Sequence, residues 1–256
     1  MSTLLSERPV AAMDAEEARI RRYLAACYRL VAHFGWHDLV ATHISARLPG
    51  AGEQFLINPY GMLFEEITAS SLVKINAEGE ILAPTTHQVN PAGFTIHSAV
   101  HMGREDAGCV IHLHTRDGVA ISMLEDGLLP LNQTAMVIAQ DIAFHEYEGV
   151  AVDLDERERL QKDLGDKNLM ILRNHGTLTV GRTVAEAFVR TYFLEMCCTM
   201  QIKALSTGRP VHQPLPEVVT KMGGRMDPTA MDRFSRSLVW PALIRKLERM
   251  DPSYAD

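Results

Sequence analysis

The segment "CVIHLHT", Cys109 to Thr115, places His112 and His114 one residue apart in what reads as a buried strand. Residues two apart in a strand point to the same face, with Cα atoms roughly 6–7 Å apart. Two imidazoles in that arrangement can converge on one cation at about 2.0–2.1 Å each. The competing reading is a pair of core histidines whose ring nitrogens find separate partners. The chain carries 11 histidines, so a His-x-His pair arises by chance in roughly a third of such sequences and the spacing alone does not decide. Val110, Ile111 and Leu113 predict burial on both faces, where two imidazoles without a shared partner would be costly.

A catalytic zinc-type site uses three protein ligands and keeps one position open, so a third histidine is needed. His175 fits: it ends the apolar run "NLMILRN" and precedes Gly176, which lets the backbone turn sharply. Read without a metal, Asn-His-Gly is simply a turn. His33/His37 and His97/His101 have helical i, i+4 spacing but no intervening carboxylate of the HExxH type, which predicts surface positions or places behind the ligands. His87, His145 and His212 lie in polar surroundings and are expected to be exposed. No G-x-S-x-G elbow, dinucleotide turn or Walker loop occurs, and the carboxylates suggest no glycosidase pair.

The elements that must position these residues alternate between helix and strand. Asp14 and Glu17 form a capping pair for a helix with Ile20, Leu24, Tyr28 and Val31 on one face, stopped by Gly35. "LVATHISARL" and "QFLINP" read as strands split by "PGAGE", and "TASSLVKINAEGEIL" as a turn and a hairpin about Glu78 and Gly79. Asn90-Pro91 opens a helix over 91–104, and the strand 109–114 follows. Thr115 caps a helix to Leu124, "AQDIAFHEY" is a strand, and "DLDERERLQKDLG" is a charged, solvated helix closed by Gly165. The strand ending at Asn174 leads to a capping box, Thr183 and Glu186, for a long helix through Leu205. The expected fold class is α/β, with helices on both faces of a sheet holding antiparallel and parallel pairs. Residues 1–18 read as an N-terminal arm, 19–208 as the main domain, and 209–256 as a linker with one helical tail.

Composition narrows the partners. A formal charge of −7 without a basic stripe argues against nucleic acid. No apolar run approaches the roughly 20 residues that span a bilayer. Cys27, Cys109, Cys197 and Cys198 show no CxxC spacing, and a reducing cytoplasm fits them. A small-molecule substrate remains.

Five motifs in order, "GWHDLVATHISARL", "INPYGMLFEEITASSLVKIN", "VNPAGFTIHSAVH", "VIHLHTRDGVAISML" and "MILRNHGTLTVG", resemble the class II aldolase/adducin family, especially its adducin-like branch, from Arg19 to Gly208. The resemblance implies a three-layer α/β/α sandwich about a central mixed, largely antiparallel sheet, in a homotetramer with sites between subunits. It implies that His112, His114 and His175 bind a divalent metal, zinc first, with manganese or iron as alternatives. The family's aldolases carry a Ser-Ser-Glu run whose Glu is metal ligand and acid/base; here that run falls on Pro91, Ala92 and Gly93. Their phosphate-binding Gly-Asn falls on Thr42 and His43, with Ser45 matching, and an interface tyrosine of some members falls near Gln133 and Thr134.

A metal triad beside a depleted phosphate site points to a carbon–carbon lyase, decarboxylase or aldolase, on a small non-phosphorylated oxo- or hydroxy-acid. Decarboxylation needs no base to begin, so loss of the Glu harms it less. By motif position and chemistry, His97 and Tyr147 are candidate catalytic residues, and His43, Asn58 and Gln88 candidate substrate contacts. Each has a purely structural alternative as a hydrogen-bonded residue. Two other classes stay open: a non-catalytic adducin-like assembly module, and a non-heme iron oxygenase on the same fold.

Overall fold

A computed structural model describes residues 15–50, 53–149, 155–223 and 227–256. Most of the expected N-terminal arm, the Asp14 cap and the Ala51-Gly52 part of the first turn lie outside the described residues. Helix α1 (Ala15–His33) leads to strands β1 (His43–Arg47), β2 (Gln54–Ile57) and β3 (Val73–Asn76). Helix α2 (Pro91–Gly103), strand β4 (Cys109–Leu113), helices α3 (Arg116–Ser122) and α4 (Gln133–Ile138) and strand β5 (Ile142–His145) follow. Helix α5 (Glu156–Leu164), strands β6 (Leu169–Leu172) and β7 (Gly176–Gly181) and the long helix α6 (Val184–Leu205) complete the central part. The seven strands form one sheet in the order β3-β2-β1-β4-β7-β6-β5. Every pairing is antiparallel except β5 with β6. The sheet is therefore mixed and largely antiparallel, as expected.

Both faces are covered, which is why β4, β6 and β7 are buried along their whole length. Ile44, Cys109, Ile111 and Leu113 pack against α1 and the start of α6. On the opposite face Val110, Met170, Leu178 and Val180 meet Ile96 and Val100 of α2 and Leu160 and Leu164 of α5. Helix α5 is thus charged outward but anchored by a buried edge.

The strand expected over "LVATHISARL" begins only at His43. Leu39 has φ +47°, and the Ala41 N–H donates to the Asp38 carbonyl at 2.9 Å, so the first residues form a turn instead. The stretch read as a linker contains helix α7 (Pro216–Gly223). After it, α8 (Pro228–Phe234) continues through a wide helical turn, Ser235–Val239, into α9 (Trp240–Met250). Trp240, Leu247 and Tyr254 enter the same core as α1. The Trp240 ring meets Phe188 and Tyr23 edge-on at 5.9 and 5.6 Å, contacts worth about 0.5–1.5 kcal/mol each beyond their buried area. No described helix is long and apolar enough to cross a membrane.

The box at Thr183 and Glu186 forms with a variation. Thr183 caps α6 by accepting from the Glu186 N–H, but the fully buried Glu186 carboxylate accepts from the Arg182 N–H at 3.0 Å and Arg190 Nη2 at 2.8 Å. Arg190 in turn reaches Asp141 at 3.1 Å, whose carboxylate also holds the Asn168 N–H. Helix α6 is thereby fastened to the β5–β6 side of the sheet. Glu186→Ala should cost roughly 3–5 kcal/mol, because it leaves a buried guanidinium short of its partner. Denaturant unfolding measures this, and a loss under about 1 kcal/mol would show that Asp141 suffices.

Candidate metal centre

Antiparallel pairing sets the end of β4 against the beginnings of β1 and β7. His43 lies opposite His112 on one side, and Leu178 lies opposite it on the other. His114 follows β4 directly. His175 precedes β7 in a turn made possible by Asn174, which takes φ +55°, and closed by the His175 N–H donating to the Leu172 carbonyl. The predicted ligands therefore meet at one end of the central strands of the sheet.

Their Nε2 atoms converge: His114 Nε2 is 3.0 Å from that of His112 and 2.9 Å from that of His175. The outer nitrogens of two rings are committed elsewhere. His112 Nδ1 donates to the Thr177 carbonyl at 3.0 Å, and His114 Nδ1 donates to the Asp38 carboxylate at 3.1 Å. A neutral ring that gives its Nδ1–H away presents a bare lone pair at Nε2. Burial, reinforced by the neighbouring imidazoles, holds His112 well below the usual histidine range and His175 down to about 4. Lone pairs facing one another at 3 Å repel unless an electrophile lies among them. The donor set fits a divalent cation, and the Thr177 and Asp38 contacts are the outer-sphere hydrogen bonds that metal-binding histidines ordinarily make. These three residues are the one group of His, Cys, Asp or Glu side chains so gathered among the described residues.

The remaining candidates are placed unequally. His43 is buried, neither ring nitrogen has a partner among the described residues, and burial pushes its imidazole down to about 4. His97 and His101 are also buried, not at the surface, and both bond to Ser45 Oγ at 2.7 Å. Tyr147 is exposed, its ring 6.1 Å from that of His175. Asn58 is buried with its Oδ1 2.9 Å from the Tyr28 hydroxyl, so its side chain serves the fold. Gln88 is exposed, and its carbonyl accepts from the Tyr60 N–H. His145, expected to be exposed, is only 4% accessible, because its Nδ1 donates to Asp163 at 2.8 Å.

Sequence reasoning missed Asp38 and Glu195, and it met Ser45 only as a match to the family's phosphate-binding motif. Glu195, on α6, sits behind the triad and accepts from the hydroxyl of Thr115, next to His114, and at 3.0 Å from that of Thr177, next but one to His175. Burial raises its carboxyl to about 7 against the pull of those two hydroxyls. Gly93 is explained by His43: a Cβ at 93 would stand 2.5 Å from His43 Nδ1. The ring occupies the space that a side chain there would need.

A family model described as "Class II Aldolase and Adducin N-terminal domain" matches residues 22–202. An aldolase II superfamily protein from Pseudomonas syringae is 47% identical, with TM-score 0.89 over 95% of this chain and 98% of that one. The L-fuculose 1-phosphate aldolase of Glaciozyma antarctica is 27% identical, with TM-score 0.82 over 97% of this chain and 96% of its own. Mouse alpha-adducin is 46% identical over 78% of this chain, a match that spans 28% of alpha-adducin.

Two expectations follow from the geometry. Gly93→Ala should destabilise the protein by about 1–3 kcal/mol through overpacking, and the same change in a His43→Ala background should cost much less. Thermal unfolding of the four proteins gives the coupling; additive losses would refute the steric account. For Glu195, the folded value lies above the unfolded one, so its contribution is full at low pH and is lost as pH rises from about 4.5 to about 7. The stability difference between wild type and Glu195→Gln should therefore fall across that window; a flat difference contradicts it.

Proposed function

Because the chain belongs to the class II aldolase and adducin family, we propose that it is a divalent-metal-dependent carbon–carbon lyase, decarboxylase or aldolase, for a small non-phosphorylated oxo- or hydroxy-acid. The observation that carries this reading is the convergence of three imidazole nitrogens at 2.9–3.0 Å with two outer nitrogens already committed. His112, His114 and His175 would hold the ion, zinc in the first instance, with manganese or iron as alternatives. Such an ion supplies Lewis acidity toward a carboxylate and its neighbouring carbonyl or hydroxyl oxygen.

The chain's own residues define the rest. His43 is held neutral near pH 7 by burial, so it offers a hydrogen bond but no charge for a phosphate dianion. Gly93 contributes no carboxylate. Release of CO₂ from an acid whose carbonyl lies β to the carboxylate passes the electron pair of the broken C–C bond to that carbonyl oxygen, giving an enolate without prior removal of a proton, which suits a site lacking that group. A proton is then returned to carbon, and His97 and the exposed Tyr147 are the groups we assign to proton handling. His43 is the assigned substrate contact, whereas Asn58 and Gln88 are not needed. A homotetramer in the cytoplasm belongs to the same reading.

A non-catalytic binding module is the second reading, favoured by the 46% identity to mouse alpha-adducin. Metal analysis separates the two. Wild-type protein should carry or take up about one divalent ion per chain, and His114→Ala should weaken binding by more than roughly 100-fold, since even outer-sphere partners are worth 10–100-fold. A wild-type protein that neither retains nor accepts zinc, manganese or iron would sink the lyase proposal.

A further inference from the structure

Helix α6 is fastened along β7 by two polar contacts whose spacings match. Thr191 and Glu195 lie four apart on α6, and Thr179 and Thr177 lie two apart on β7, each pair spanning roughly 6–7 Å of chain. The Thr179 and Thr191 hydroxyls meet at 2.6 Å, and the Thr177 hydroxyl donates to Glu195 Oε1 at 3.0 Å. The second Glu195 oxygen accepts from the Thr115 hydroxyl. Thr115 follows His114 directly and caps α3 by accepting from the Gly118 N–H at 3.0 Å. Thr177 lies two residues after His175, and its carbonyl takes the His112 Nδ1 proton. One carboxylate thus joins the two backbone segments that between them deliver His114, His175 and the acceptor that orients His112.

The junction is too tight for another side chain. A Cβ at Gly118 would stand 2.5 Å from Thr115 Oγ1, 3.0 Å from Thr177 Cγ2 and 3.1 Å from Glu195 Oε1. Thr115, Thr177 and Glu195 are all buried. Burial pushes the Glu195 carboxyl up, and Asp117 pushes it the same way. Where packing alone is needed, an apolar side chain of similar volume is the cheaper occupant of such a position. We propose that Glu195 is a positioning residue that, through Thr115 and Thr177, fixes the separation of the segments carrying His114 and His175 and thereby sets the metal affinity of the triad. This rests on the reading of the triad as a metal centre. Ligands already held at a fixed separation bind a cation without first losing freedom, whereas slack ones must be ordered as it binds.

The test measures zinc affinity, by competition with a chromophoric chelator, and the visible absorption of the cobalt-loaded protein, which reports ligand geometry. Both are read at a temperature where the variants compared are folded. Thr177→Val keeps the size of the side chain and the carbonyl that orients His112 but deletes the hydroxyl. It should weaken zinc binding roughly 10–100-fold, the worth of an outer-sphere partner, and change the cobalt spectrum; Thr177→Ser should restore both. Thr179→Val is the control, because it removes the neighbouring contact to the same helix two residues further along β7. It should lower the melting temperature and leave zinc affinity and cobalt spectrum as in wild type. Glu195→Gln keeps the shape but turns one acceptor into a donor, so it should also weaken zinc, and it decides the matter if Thr177→Val does not fold. Wild-type affinity and spectrum in Thr177→Val and Glu195→Gln would overturn the inference. So would an equal loss of zinc affinity in Thr179→Val and Thr177→Val, since that is what a merely structural role gives. A wild-type protein that takes up neither zinc nor cobalt overturns instead the metal reading on which the inference rests.

Discussion

With His112 opposite His43 on one side and Leu178 on the other, the register of β4 brings the end of one strand against the beginnings of two others. A slip of one residue would send His112 to the face packed by α1 and α6 and bring Ile111 or Leu113 into its place. The apolar residues on both faces of β4 forbid that slip, so the core that stabilises the sheet also fixes the imidazoles of the candidate centre. The Thr177 carbonyl that orients His112 comes from the paired strand, which ties ring orientation to the same register.

Around those strand ends the fold gathers imidazoles that burial keeps uncharged. His43, His97, His101, His112 and His175 all lie below the ordinary histidine range, and in each burial is the largest cause. Such a cluster is tolerable only because neutral rings can alternate donor and acceptor with one another, with Ser45 and with backbone carbonyls. Its output is a set of directed lone pairs in place of a field of positive charge.

Strand periodicity is a local property, so the spacing put His112 and His114 on one face and the glycine after an apolar run marked a turn at His175, but it was the family motifs that made the three a metal triad. The sheet's mixed character was readable from the irregular interleaving of helices and strands, and its largely antiparallel pairing from the family motifs. Asp38 was not, because it reaches His114 across 76 residues from a turn that sequence reads as strand. The Ser45 links to His97 and His101 span 52 and 56 residues. His145 looked exposed because its neighbours are polar, yet one of the carboxylates on α5 supplies the partner that lets it be buried. Burial of a polar residue depends on partners that only the fold brings near.

Gly93 and His43 share one volume, and that has a historical meaning. A lineage moving between a carboxylate at position 93 and an imidazole at position 43 cannot make the exchange in either order freely. A side chain at 93 must be trimmed before the ring can enter, and the ring must leave before a side chain can return. The intermediate with neither group is the permitted passage, and it has an emptied pocket beside an intact triad. Relatives should therefore fall into two settled combinations, and crossings between them should be rare.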